Sequence, residues 1–449
     1  MTFTKERNIL IASLSSVGHI HACIGLAKSL QKCGHRIAFL LEKSFQNYVK
    51  PLGFIEFLYD TEASIKFNLP AEEISQLLVN ISIIGEQDRL KQMEKMIRLV
   101  DSDYSCSHLI QCNEKLKQIK SEFQPELFLV DNTTLLPEIY YSNIPWIYVC
   151  SLVPLFHLGE CFDNLPPYFS GLSRNSKKSD WIRYQELRDR FARSSLQNDL
   201  IESMGYKRYK DDILLPRTYS LAVYAFPQEY NFPEIETLDK CYNVDVFNKN
   251  ESKEVMELKN LVPISFYNDD LDGKWSGKWI YVSMGSMGSV DLKLMNRLKN
   301  ILSKTNHKYI VSKGPKHREY HLSKNMWGDR FLPQTKIIPL MDLVITHGGN
   351  NTVTETFAQG IKMIVMPLFA DQFDNATILS ESHFAIQLDP FTMTEQDLID
   401  SIEQILADDL LHKRLRQASE RIKSEDRHTI FCEKVEQIMN DYDRSVMKL

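Results

Sequence analysis

Short apolar runs recur along this chain, separated by longer stretches in which apolar positions return at i, i+3 and i+4. The runs fall at residues 8–14, 36–41, 127–130, 144–150, 217–226 and 241–247, and then at 278–284, 307–312, 343–346 and 363–366. An unbroken apolar run of this kind suits a strand covered on both faces. Helical stretches between such strands give β-α-β units and parallel sheets. The helical pattern covers 22–32, 351–359, 394–407, 410–425 and 431–442, and most of 62–120, where LKQMEKMIRLV is its clearest amphipathic piece. Residues 151–212 are the least regular part of the N-terminal half. A polar stretch, NKNESKEVMELKN, then places a domain boundary between residues 243 and 260. The expected architecture is α/β: a first domain over 1–245, a second over 246–426, and a C-terminal helix within 427–449.

In an open parallel sheet, ligands bind beyond the carboxyl ends of the strands, so the residues that follow each run carry the candidate chemistry. The run 343–346 stops at His347-Gly348-Gly349 and a helix begins directly after it. The glycines allow close approach to the main chain. The first-turn N–H groups, with Asn350, Asn351 and Thr352 beside them, suit a phosphate or diphosphate. His347 can add a donor, and Glu355 can accept from vicinal hydroxyls if its side chain turns back toward the loop. The run 363–366 leads to Asp371 and Gln372, a carboxylate and an amide suited to reading sugar hydroxyls. The run 278–284 leads into Gly285-Ser286-Met287-Gly288. The plainer alternative makes HGGNN a turn and Asp371 a helix cap, but it needs the same coincidence at several strand ends.

In the first domain, residues 15–21 form a small polar loop that carries Gly18 and His19. His19 is the leading candidate for a general base, with His21 as its rival. A neutral imidazole accepts a proton through one nitrogen when the other holds its own, and a buried carboxylate fixes that tautomer. Asp131, directly after the run 127–130, stands at another strand end; its alternative role is to cap the following segment. Phe156, Phe162, Tyr168 and Phe169 are candidate walls of an apolar pocket, or else core. No G-x-G-x-x-G follows a strand, and no P-loop lysine motif is present.

The 449 residues are 43% hydrophobic and 25% charged, as expected of a globular chain of two domains. A net charge of −6 without a basic run argues against nucleic acid as a partner. Cys23, Cys33, Cys106, Cys112, Cys150, Cys161, Cys241 and Cys432 show no metal-ligand spacing, which fits thiols of a reducing compartment. The opening residues, MTFTKERNILIASLSS, lead almost directly into a strand, and no stretch reaches the ~18 apolar residues of a membrane span. A cytoplasmic location, no membrane partner and a monomer are expected.

The segment 331–375 resembles the signature of the family 1 UDP-dependent glycosyltransferases. The opening Phe331, Leu332, Pro333 and Gln334 resembles the family's aromatic-x-Pro-Gln. His347 matches its phosphate-binding His, Asn351 and Thr352 its Asn and small hydroxyl residue, Glu355 its ribose-binding Glu, and Asp371-Gln372 its sugar-reading pair. Gly18-His19 matches the loop of the family's base, and Asp131 the place of its carboxylate partner. Ser286 matches a Gly-Ser turn that approaches the diphosphate, and Gly349 and Asn350 complete the phosphate loop. The family's usual uracil-stacking Trp is Phe331 here, the stretch between Gln334 and His347 is about two residues short of the plant pattern, Asn350 stands where plant members have Trp, and Ala22 replaces a frequent Pro. The resemblance spans the whole chain but is sharp only around 8–21, 127–134, 279–288 and 331–375.

The resemblance implies the GT-B fold, two Rossmann-like domains facing across a cleft, with the last helix packing back on the first domain. It implies a UDP-sugar donor, UDP-glucose being expected, and no metal. It further implies an inverting transfer to a hydroxyl of a small lipophilic acceptor such as a flavonoid, plant toxin or pesticide metabolite. The competing classes are another GT-B enzyme such as a nucleotide-sugar epimerase, and a non-catalytic UDP-sugar-binding protein.

Overall fold

Strands that are apolar on both faces must lie in the middle of a layered stack, and the chain builds two such stacks. A computed structural model describes residues 5–60, 71–100, 102–248, 257–268 and 276–446. Among these, the first half supplies β1 (Asn8–Ser13), β2 (Arg36–Glu42), β3 (Ile55–Tyr59), β4 (Leu127–Asp131), β5 (Trp146–Cys150), β6 (Leu221–Tyr224) and β7 (Cys241–Asn243). The second half supplies β8 (Trp279–Ser283), β9 (Lys308–Ser312), β10 (Met326–Asp329), β11 (Leu343–Thr346), β12 (Lys362–Val365) and β13 (Ala385–Gln387). They form two sheets, in the orders β3-β2-β1-β4-β5-β6-β7 and β10-β9-β8-β11-β12-β13. Every neighbouring pair is parallel. The molecule is thus a pair of Rossmann-like domains.

Alternate residues of the first sheet feed different cores. Leu10, Phe128, Val130 and Tyr148 face one side. Ile9, Ile11, Leu129 and Val149 face the other, against the helices Val17–Lys32 and Arg427–Val446. The latter helix is pinned to the first domain by Arg7 to Asp443 at 2.7 Å and by Ser29 to His428 at 2.7 Å.

Each sheet has one point at which its strand order reverses, and there the loops leaving adjacent strands diverge to open a crevice. In the first sheet it lies between β1 and β4, where Ser13 is in register with Asp131. In the second it lies between β8 and β11, where Ser283 is in register with Thr346. The residues that follow these four strand ends, with those after β5 and β12, form the site.

Two local expectations need correcting. Residues 15–21 are not a loop throughout: the helix starts at Val17, with Ser16 as its extended N-cap, so His19 and His21 lie on a helix rather than before one. Residues 285–288, read as a turn, close into one short helical turn, Gly285–Gly288. In both places small polar residues and glycine mask a helix start. The stretch 151–212 also contains two helices, Lys178–Ala192 and Ser195–Ser203.

Candidate active site

From the first turn of its helix, His19 places Nδ1 3.0 Å from Asp131 Oδ1 at the end of β4. Ser151, one residue past β5, completes a triangle: its hydroxyl lies 2.9 Å from His19 Nδ1 and 3.0 Å from Asp131 Oδ1. Asp131 does not cap the segment after it. That role falls to Asn132, whose Oδ1 accepts from the backbone N–H groups of Thr133 and Thr134. With the Nδ1 proton directed at a buried carboxylate, Nε2 is left as the basic nitrogen of the ring. His21 turns elsewhere, its Nε2 2.9 Å from the Tyr48 hydroxyl.

The electrostatics of His19 is a contest. Burial disfavours the imidazolium, but the charges of Asp131 and Asp371 favour it and prevail, so its pKa stands above the ordinary value. Asp371, the first residue of the helix Asp371–Glu381 in the second domain, lies near enough for its charge to act on the imidazole. Burial pushes its carboxyl up to about 7, against the pull of His19 and of the Val153 backbone N–H. Its Oδ2 is buried with no hydrogen-bond partner among the described residues. Gln372 commits its carbonyl oxygen to the backbone N–H groups of Leu368 and Phe369, which turns its amide nitrogen into the end that can meet a ligand.

On the second domain the ring of His347 is wedged between two glycines. A Cβ on Gly285 would stand 2.6 Å from its Nε2, and one on Gly349 2.5 Å. Gly285 and Gly348 also have positive φ, +69° and +88°. These are the positions where glycine is required. Burial lowers the His347 pKa to about 4, so the ring is neutral at pH 7, with Nδ1 3.4 Å from the Ser283 carbonyl. Gly349 is the N-cap of the helix Asn350–Ala358 and offers no side chain to its first-turn N–H groups. Gln334 donates from Nε2 to Thr352 Oγ1 at 3.2 Å and to Glu355 Oε2 at 2.8 Å, so Glu355 does turn back toward the loop. Burial raises the Glu355 carboxyl to about 7, with Gln334 and Asn248 opposing. Phe331 is 58% exposed, with the Arg330 guanidinium over its ring, while Leu332 and Ser286 are half-buried.

The side-chain amides of Asn350 and Asn351 are engaged with backbone carbonyls. Asn350 donates to the carbonyls of Ser151 and Ala225, at 3.2 and 3.1 Å, and Asn351 donates to that of Gly18 at 2.8 Å. Both cross from the second domain to the first. The aromatic residues proposed as pocket walls are mostly core: Phe156, Tyr168 and Phe169 are buried, Phe156 stacking on Phe169 with Tyr168 edge-on to both, whereas Phe162 is half-buried.

Three further residues went unread in the sequence. Asn248 donates to Glu355 Oε1 at 3.3 Å, Asp374 accepts from the backbone N–H groups of Phe169 and Gly171, and Ser151 joins the His19–Asp131 pair. Of these, Ser151 could have been found, because it stands at a strand end like the residues that were. Among the described residues no cluster of three or more His, Cys, Asp or Glu side chains is arranged to hold a metal ion, and no helix is long and apolar enough to cross a membrane.

Residues 276–426, the stretch that carries β8 to β13 and the His347 turn, match the family described as UDP-glucoronosyl and UDP-glucosyl transferase. The match spans the second domain. A sterol 3-beta-glucosyltransferase of Candida albicans is 22% identical over 444 residues, 93% of this chain but only 27% of that one. UDP-glucuronosyltransferase 3A1 of Bos taurus is 24% identical over 450 residues, 94% of this chain and 81% of its own length. Among solved structures, the calicheamicin glycosyltransferase CalG4 superposes with a TM-score of 0.65 at 17% identity, covering 97% of this chain and 99% of that one. That likeness gives the chain its fold, GT-B.

Proposed function

We propose that this protein transfers a sugar, glucose from UDP-glucose, to a hydroxyl of a small lipophilic acceptor, with inversion at the anomeric carbon. His19 Nε2 takes the acceptor proton as the acceptor oxygen bonds to the anomeric carbon, and the bond from that carbon to the β-phosphate oxygen breaks on the opposite face. UDP leaves with the electron pair. The N–H groups at the start of the helix Asn350–Ala358, with Ser286, Thr352 and His347 beside them, meet the charge that grows on the diphosphate. Glu355 holds the ribose, Phe331 offers its exposed ring to the uracil, and Asp371 with the amide nitrogen of Gln372 reads the sugar hydroxyls. No step calls for a metal ion.

The observation that carries this reading is the meeting of both domains at one imidazole. His19 is held by Asp131 from behind, while Asp371, one helix beyond the His347 turn in the second domain, lies near enough for its charge to act on the ring. The names of the relatives, a sterol glucosyltransferase and a glucuronosyltransferase, fit a lipophilic hydroxyl as acceptor. Cysteines that stand outside any disulfide fit a cytoplasmic setting. The test is incubation of the purified protein with UDP-glucose or UDP-glucuronate and a mixture of phenols and sterols, with mass detection of products. A hexose adduct of one acceptor is expected. No adduct with any pair, or UDP-glucose altered without an acceptor, would overturn the reading.

A further inference from the structure

The side chain of Ser151 and the main chain of Ser151 are engaged in different domains. Its hydroxyl closes the triangle with His19 Nδ1 and Asp131 Oδ1. An ionised Asp131 has no proton to give, so the hydroxyl donates to Asp131 and the Nδ1 proton is shared between the carboxylate and Ser151 Oγ. One contact would let the imidazole pivot about its donor; two fix the plane of the ring. The Ser151 carbonyl, in turn, accepts from Asn350 Nδ2. Asn350 is the first residue of the donor-side helix Asn350–Ala358, is 4% exposed, and gives another bond to the carbonyl of Ala225, just past β6. Its own Oδ1 is buried with no partner among the described residues, which costs free energy. The side chain bears that cost while its nitrogen bridges two carbonyls of the other domain.

We propose that Ser151 and Asn350 are positioning residues that make the orientation of the His19 imidazole depend on the donor-side helix of the second domain, so that the base is set only when the two halves of the cleft are assembled. The proposal rests on His19 acting as the base. Asn350 holds the backbone of Ser151 at the right height above β5, and the Ser151 hydroxyl passes that placement to the ring. An alanine at either position breaks the link without touching the nucleotide contacts of Thr352 and Glu355.

The test uses the full-length protein and compares Ser151→Ala, Ser151→Thr, Asn350→Ala and His19→Ala. Steady-state transfer from UDP-glucose is read together with the ¹⁵N signals of the His19 ring, identified by their loss in His19→Ala. General-base catalysis is worth roughly 10²–10⁴-fold, and a mispositioned base should lose part of it, so Ser151→Ala and Asn350→Ala are expected to lower kcat about tenfold. KM for UDP-glucose should stay the same, Ser151→Thr should restore kcat to within about twofold of the wild type, and the two alanine variants should lose the single Nδ1-protonated tautomer. Wild-type kcat and wild-type tautomer in both alanine variants would overturn the proposal, as would Ser151→Thr failing as badly as Ser151→Ala. Ser151→Ala removes one oxygen and keeps the test alive should Asn350→Ala not fold. If His19→Ala alone is inactive, the positioning role is wrong and the transferase reading stands. If the tautomer shifts as expected but the wild type transfers no sugar to any acceptor, the positioning stands and the reading of function fails.

Discussion

Four buried carboxyl groups hold their protons to unusually high pH in the ligand-free protein. Burial raises Glu42, Glu355 and Asp371 to about 7 and Asp374 to about 8. In the unfolded chain such groups have released their protons by pH 5. The folded state therefore holds more protons than the unfolded one up to about pH 8, and stability must fall as pH rises across that window. His108, His157 and His347, lowered to about 4, 3 and 4, act in the opposite sense, but only between those values and 6.5. Above pH 6.5 the carboxyl groups decide the sign. The melting temperature without ligand should be lower at pH 8.5 than at pH 6.5, as followed by circular dichroism; a rise over that interval would contradict the assignment of these groups as protonated and buried.

Two elements that meet at the phosphate turn depend on the absence of side chains. The short helix Gly285–Gly288 and the N-terminus of the helix Asn350–Ala358 both close on the Nε2 end of the His347 ring. Gly285→Ala would place a Cβ 2.6 Å from Nε2 at a φ of +69°, so either the ring or the short helix must move. The backbone strain alone is worth roughly 1–2 kcal/mol. The variant should lose about that much stability in urea and bind UDP more weakly by calorimetry, whereas unchanged values for both would mean that the ring is not wedged. The element scale is also where the sequence was least evenly legible. The central strands could be read because they are covered on both faces and therefore unbroken in their apolar character. β3, β10 and β13 escaped because they are edge strands, short and partly exposed, and their side chains need not be uniformly apolar.

Across the whole molecule the domains are sewn together by polar contacts that no local pattern records. Asp374 on the helix Asp371–Glu381 accepts from the backbone N–H groups of Phe169 and Gly171, and Gln92 donates to the Leu368 carbonyl. Asp374→Ala would leave two buried N–H groups without an acceptor, and it should cost roughly 2–4 kcal/mol of stability in denaturant. A variant as stable as the wild type would show that water or another group replaces the Asp374 carboxyl group. The same long range explains what the sequence withheld of the site. His19, Asp131, Asp371 and the His347 turn could be located because each follows a strand, and strand ends share one edge of a parallel sheet. Asp374 and Asn248 find partners 205 and 107 residues away, and nothing in their neighbourhood names those partners. Asn350 and Asn351 likewise find partners far away, their amides donating to carbonyls 199 and 333 residues distant.

The central claim is that His19, held by Asp131, takes the acceptor proton. Its most direct test is the turnover of His19→Ala on a phenolic acceptor, measured beside the affinity of the same variant for UDP. Turnover should fall at least about 10²-fold while UDP binding is unchanged; near-normal turnover would contradict the account.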